Sequence, residues 1–156
     1  MIGLDACTDA DLDDFLTLAL DPRVTARIGD GTPWTPETAR ARFRRGMACC
    51  ARGEGLWLIA RDGTGVVGVV VGELDHLAEI ETGIWLAPRH WGRGHGRGLL
   101  GVLLPMVRVR FPGVLPTAYA DVDHAASAAM LRAAGFVEDG TLTGRHGTEV
   151  TRFVAR

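Results

Sequence analysis

The chain has 156 residues, enough for one domain with a sizeable core and too few for two. Hydrophobic residues make up 47% and charged residues 23%, and 19 acids against 17 bases leave a formal charge of -2, so no general basic field exists to hold nucleic acid. Three cysteines (Cys7, Cys49, Cys50), odd in number and without histidine at ligand spacing, exclude a disulfide framework and a zinc site.

The stretch "MIGLDACTDADLDD" is acidic and unlike a signal peptide, and the apolar runs are far shorter than a membrane span. Free thiols in a reducing cytoplasm are the expectation. Every base is arginine, and Lys, Asn and Gln are absent, which reads as the codon bias of a GC-rich genome.

In chain order, Thr8 and Asp11 form a capping-box pair that opens a helix to about Leu20, with Leu12, Phe15, Leu16 and Ala19 on one stripe. "LDPRV" breaks it. A second helix starts with Thr35 as N-cap and Pro36 at its first position. Ala39, Phe43, Met47 and Cys50 form its inner face; Arg40, Arg42, Arg44 and Arg45 form its wet face. Strands follow at Leu56–Ala60, Gly65–Leu74 and Ala78–Pro88, with "RDGTG" as a hairpin turn between the first two. Short loops make these neighbours antiparallel.

A helix is expected from about Gly96 to Arg110, kinked at Pro105. Pro116–Val122 is a strand, Ala125–Ala134 a short helix stopped by Gly135, and "FVEDGTLTG" with "TEVTRFVA" a final hairpin. The order α-α-β-β-β-α-β-α-β-β describes a single α/β (α+β) domain over 1–156, with no repeat and no regular βαβ alternation.

The stretch "WGRGHGRGLL" (Trp91–Leu100) carries glycine at every second position, with Arg93, His95 and Arg97 between, and leads from a strand into a helix. The first turn of a helix leaves four amide N–H groups unpaired at the positive end of its dipole, a site that suits a pyrophosphate. A P-loop needs lysine, which the chain lacks. A dinucleotide pattern G-x-G-x-x-G spans Gly96–Gly101 but has no βαβ unit around it.

The stretch "WLAPRHWGRGHGRGLL" resembles the acyl-CoA loop of the GNAT N-acetyltransferases, with Gly94 and Gly96 at the two small positions of Gln/Arg-x-x-Gly-x-Gly/Ala. Trp91 at the first position resembles the RimJ/RimL-type branch, as do "LDPRVTARIG", "TPETARARF", "TGVVGVVVGELD", "ETGIWLAP" and "HAASAAMLRAAGF". The N-terminus leaves little room for a full first strand. The resemblance implies a mixed, mostly antiparallel GNAT-like sheet flanked by about four helices, and acetyl-CoA as co-substrate without a metal.

On that resemblance, the amides of Arg93, Gly94, His95, Gly96, Arg97 and Gly98 hold the pyrophosphate. Trp85 and Leu86 act through their backbone on the pantetheine arm and the thioester carbonyl. Deprotonation of the amine points to Glu79 and Glu81, which share one strand face and are expected to repel one another. Glu81 matches the branch's acidic position and is preferred, directly or through water.

Many relatives place a tyrosine in the last helix; here Leu131 stands there, and the single tyrosine, Tyr119, is on a strand. Ser127 is expected near the sulfur, where it can donate a hydrogen bond. His124 replaces an asparagine that binds the pantetheine amide. His95 is expected in the phosphate loop rather than as a base, and His76, His90 and His146 on the surface.

An acetyl-CoA-dependent N-acetyltransferase acting on a primary amine by direct attack is the leading reading, with a protein N-terminus as the acceptor the branch suggests. Aminoglycosides and polyamines are alternatives on the same scaffold. A non-catalytic acyl-CoA-binding module and a nucleotide-dependent oxidoreductase remain open. The acids Asp30, Glu54, Asp75, Glu79, Glu81 and Glu138 favour a cationic acceptor, and the apolar "GIWLA" suits a homodimer contact. No nucleic-acid or membrane partner is expected.

Overall fold

The β-branched run "GVVGVVVGEL" forms β3 (Gly65–Leu74), a central strand in the computed structural model, which describes residues Met1–Arg156. Valine packs well on a pleated surface, and seven consecutive residues of this strand are buried. Around it lie β1 (Gly3–Ala6), β2 (Gly55–Asp62), β4 (Ile80–Leu86), β5 (Pro116–Asp121), β6 (Val137–Thr143) and β7 (Glu149–Val154). The seven strands run in the order β1-β2-β3-β4-β5-β7-β6. Every neighbouring pair is antiparallel except β4 and β5, which are parallel. This is the mixed, mostly antiparallel sheet expected.

The helices are α1 (Leu12–Ala19), α2 (Pro22–Thr25), α3 (Pro36–Ala51), α4 (His95–Arg110) and α5 (Ala125–Ala133). The Thr8 N–H donates to the Asp11 carboxylate at 2.7 Å, and the turn between them is a short 3-10 segment before α1 begins. At α3 the Thr35 hydroxyl accepts the Thr38 N–H at 3.1 Å and Pro36 takes the first helical position. α4 runs through Pro105 to Arg110. No helix is long and apolar enough to cross a membrane.

Two clusters pack the two faces of the sheet. Leu99, Leu100, Leu103, Leu104 and Val107 of α4, with Leu131 of α5, bury against Val70, Ile80, Ala118, Ala120 and Phe153. On the opposite face Phe15, Leu18, Ala39 and Phe43 bury against Trp57, Ile59, Val69, Val71 and Trp85. There Phe15 meets Trp85 edge-on at 5.2 Å and Phe43 meets Trp57 edge-on at 5.9 Å, contacts worth about 1 kcal/mol each beyond burial.

Four expectations need correction. A first strand does fit: Gly3–Ala6 pairs with β2 at the sheet edge, four residues being enough to cap that edge. Pro22–Thr25 forms one helical turn where only a break was expected, because the Asp21 side chain caps it by accepting the Arg23 N–H. Arg42 does not belong to the wet face of α3: it lies inward in a bidentate pair with Glu73 at 2.9 and 3.1 Å, over the Trp57 ring. "GIWLA" presents little apolar surface for a dimer contact, because Trp85 and Ala87 are buried and Gly83, Ile84 and Leu86 are only partly exposed.

Candidate active site

The glycine run folds as the turn into α4. Gly92 and Gly94 adopt left-handed φ of 69° and 79°, which a side chain resists, and a Cβ at either would meet only open space. Gly94 is the N-cap, and its carbonyl accepts the Gly98 N–H at 3.0 Å. The N–H groups of Arg93, Gly94, His95, Gly96 and Arg97 have no backbone partner, and Arg93, Gly94 and Arg97 are exposed. Gly98 is thus a correction: its N–H is spent inside the helix and cannot join an anion cradle. Gly96 is glycine for a different reason, since a Cβ there would lie 2.4 Å from Met130 Sδ of α5. The Trp91 indole N–H donates to the Leu86 carbonyl at 2.9 Å, clamping the turn to the end of β4.

The pairing of β4 with β5 stops after two residue pairs, Ile80 with Pro116 and Glu81 with Thr117. The buried Thr82 hydroxyl donates to the Thr117 carbonyl at 2.9 Å and fastens the last joined point. Beyond it β4 has no partner on that side, which makes a fork. Backbone groups alternate along a strand. The Ala87 N–H bonds the Val67 carbonyl of β3, and the Ile80 N–H bonds the Leu115 carbonyl on the β5 side. The register therefore turns the Trp85 peptide groups to Val69 of β3 and those of Ile84 and Leu86 to the fork.

Trp85 is corrected on this ground: its backbone is committed to the ladder and its ring to the core, and the peptide groups that face the fork are those of Ile84 and Leu86. Leu86 keeps only its N–H for the fork, its carbonyl being taken by Trp91. Counting in twos back from Leu86 along β4 reaches Ile84 rather than Trp85.

On the face of α1 and α3 the fork is flanked by acids of unequal standing. Glu79 accepts two bonds from Arg152 at 2.7 Å each, and this guanidinium holds its carboxyl below the ordinary value. Glu81 has one long contact, 3.4 Å from Arg145, and burial pushes its carboxyl up, helped by Asp75 and Glu73 and opposed by Arg145 and Arg42. Mutual repulsion between Glu79 and Glu81 is thus not the cause of any shift. A half-buried carboxylate with a raised pKa and only one long contact to an exposed arginine is better suited to take a proton than one held bidentately at 2.7 Å. Of the other acids, Glu54 pairs with Arg52 and Glu138 with Arg132, and Asp30 caps its own loop at Thr32.

On the other face, Ser127 lies in α5, half-buried, with no hydrogen bond to its hydroxyl. His124 stands just before α5, and burial with Arg27 nearby lowers its pKa and keeps the imidazole neutral. His95 opens α4 beside the cradle. His76 and His146 are exposed, but His90 is buried, a correction. It packs under the turn, edge-on to His95 at 5.0 Å, with Nε2 3.3 Å from the Asp62 carboxylate. Leu131 is core.

Sequence reasoning missed Arg152, which joins Glu79, Asp139 (3.0 Å) and the Tyr119 hydroxyl (3.2 Å) on one guanidinium. No local signal marks it, because its partners lie on three other segments.

A family model described as an acetyltransferase (GNAT) domain matches residues 2–137. No curated protein matches the chain. Among solved structures, the chain is similar to spermidine N-acetyltransferase from Vibrio cholerae in complex with CoA and spermine. That match has 17% identity and TM-score 0.78 and covers 98% of this chain and 94% of the other. RimL, a ribosomal-protein α-N-acetyltransferase in complex with CoA, matches at 16% identity and TM-score 0.82, covering 98% and 92%. AAC(6')-Ib in complex with ribostamycin and CoA matches at 16% and 0.81, covering 99% and 92%.

Proposed function

The chain belongs to the GNAT acetyltransferases, and on that premise we propose that it moves an acetyl group from acetyl-CoA to a primary amine by direct attack, with Glu81 as the base. The five free amides from Arg93 to Arg97 fit a pyrophosphate, and the open side of β4 fits a pantetheine arm. Bound there, acetyl-CoA supplies an activated acyl carbon.

The chain's own groups do the rest. The amides of Arg93, Gly94, His95, Gly96 and Arg97 neutralise negative charge without side chains. The Ile84 N–H points into the fork, where a preorganised donor facing a developing oxyanion is worth about 3 kcal/mol. Glu81 Oε takes the proton that the amine must lose. Ser127 Oγ, free of any internal bond, donates a hydrogen bond on the α5 side, and neutral His124 offers one donor and one acceptor.

The observation that carries the reading is the state of Glu81: it is the last paired residue before the strands part, and its one ion pair is a single long contact, 3.4 Å, to the exposed Arg145. Similarity to RimL and the motif order support a RimJ/RimL-type enzyme acting on a protein N-terminus. The complexes with spermine and ribostamycin support polyamines and aminoglycosides as the alternatives to test.

The test measures CoA release with peptide, polyamine, aminoglycoside and amino-acid amines, in wild type and Glu81→Gln. Turnover on one class that falls about a hundredfold in the variant is the expected result. Calorimetric binding of acetyl-CoA with turnover on no amine would instead establish a binding module, the reading that the buried Leu131 in the tyrosine position favours.

A further inference from the structure

Tyr119 is the single tyrosine of the chain. It lies on β5 two residues beyond Thr117, the partner of Glu81, and so just past the last joined point of the fork. Ala118 and Ala120 face the α4–α5 core, so Tyr119 stands on the opposite face, the face of Glu81. That is the side away from the anion cradle. Its neighbour across β7 is Arg152.

Arg152 Nη1 donates to the phenol oxygen at 3.2 Å and to Glu79 at 2.7 Å; Nη2 donates to Glu79 at 2.7 Å and Nε to Asp139 at 3.0 Å. Because the phenol oxygen is an acceptor in that bond, its own proton is directed elsewhere. No acceptor in the protein takes it, and the side chain is half-buried. The guanidinium is meanwhile fixed by two carboxylates, so the ring cannot drift without breaking a charge-assisted network.

The geometry points to Tyr119 as an acceptor-recognition residue: its hydroxyl donates to an oxygen borne next to the reacting nitrogen, while Glu81 on the other bank receives the amine's proton. The class of amine this fits carries a carbonyl or hydroxyl oxygen within a few bonds of the nitrogen. A plain alkylamine or polyamine leaves the phenol unpaired, and an unpaired donor in a partly dry site disfavours the ligand. This rests on the transferase reading of the previous subsection and adds the chemistry of the acceptor to it.

The test compares alanyl-glycinamide (carbonyl), ethanolamine (hydroxyl) and n-butylamine (no oxygen) by kcat/KM in wild type and Tyr119→Phe. Calorimetric binding of each amine to the CoA-loaded protein runs alongside. Wild type is expected to prefer at least one oxygen-bearing amine to butylamine by about tenfold, and Tyr119→Phe to erase most of that preference in both measurements. Which of the two is preferred decides between an aminoacyl and an amino-alcohol acceptor. A preference that survives in Tyr119→Phe, or butylamine used as well as either by wild type, overturns the assignment while leaving the transferase reading intact. The wild-type comparison stands even if the variant folds poorly. If wild type acetylates no amine of any class, the transferase reading falls and this inference falls with it.

Discussion

The two faces of the sheet offer their candidate binding groups from different parts of the chain. At the mouth of α4 the available groups are main-chain N–H donors, fixed by a left-handed Gly94 and a buried Gly96. On the face of α1 and α3 they are side chains: Glu81, Tyr119 and the Arg152 network. A backbone site is set by the conformation of a few consecutive residues, so one stretch of sequence records it. A side-chain site depends on partners from several strands, and any of them can change without disturbing the sheet.

The comparison breaks or sharpens on substitution. The largest effect is expected from Glu81→Gln, which removes the proposed proton acceptor: kcat/KM for the best amine falls by about 10² or more, and calorimetric affinity for acetyl-CoA stays within about twofold. A matching loss of cofactor affinity would mean that the two faces are not separate.

Next are the glycines. Gly96→Leu drives a side chain into Met130, and Gly94→Val forces a branched residue to φ 79°. Each is expected to weaken acetyl-CoA binding by about a hundredfold, whereas Arg97→Ala costs only a few-fold. If Arg97→Ala proves the more damaging, side-chain charge rather than the backbone holds the phosphates.

Glu79→Gln should act on the fold instead. Both partners of its ion pair are less than one-fifth exposed, and removing one leaves the other short of compensation, costing about 2–3 kcal/mol in denaturant unfolding.

The smallest effect is in pH dependence, and the two glutamates carry opposite signs. Arg152 lowers the carboxyl of Glu79. Its contribution to stability is therefore complete above the unfolded value, about 4.3, and is lost as pH falls through the lower folded one. Burial raises that of Glu81. Protonating it stabilises the fold as pH drops through that raised value, while the rate falls over the same range. Unfolding midpoints of Glu79→Gln and a pH–rate profile of wild type check both signs.

Strands β2 to β7, the helices α1, α3, α4 and α5 and the bare glycine turn before α4 were legible in the sequence. A valine run, Thr35 before Pro36, and glycines between a strand and leucines are all signals within a few residues. Less legible was which groups are already occupied. Gly98 sits in the motif yet spends its N–H on Gly94, and Trp85 sits on the right strand but turns its peptide groups to β3. Arg42 and His90 are polar residues in polar surroundings of sequence, and both lie inward because a carboxylate from another element meets them.

The sequence by itself determined what neighbouring residues decide: periodicity, caps, turns and a bare run of backbone. Tertiary structure alone decided which of two glutamates is tightly paired, since Glu79 finds its cation 73 residues away on β7. It likewise placed the fork, which depends on where two parallel strands cease to pair. Backbone propensity acts over a turn or a pleat, whereas charge pairing and strand register act between segments that only folding brings together.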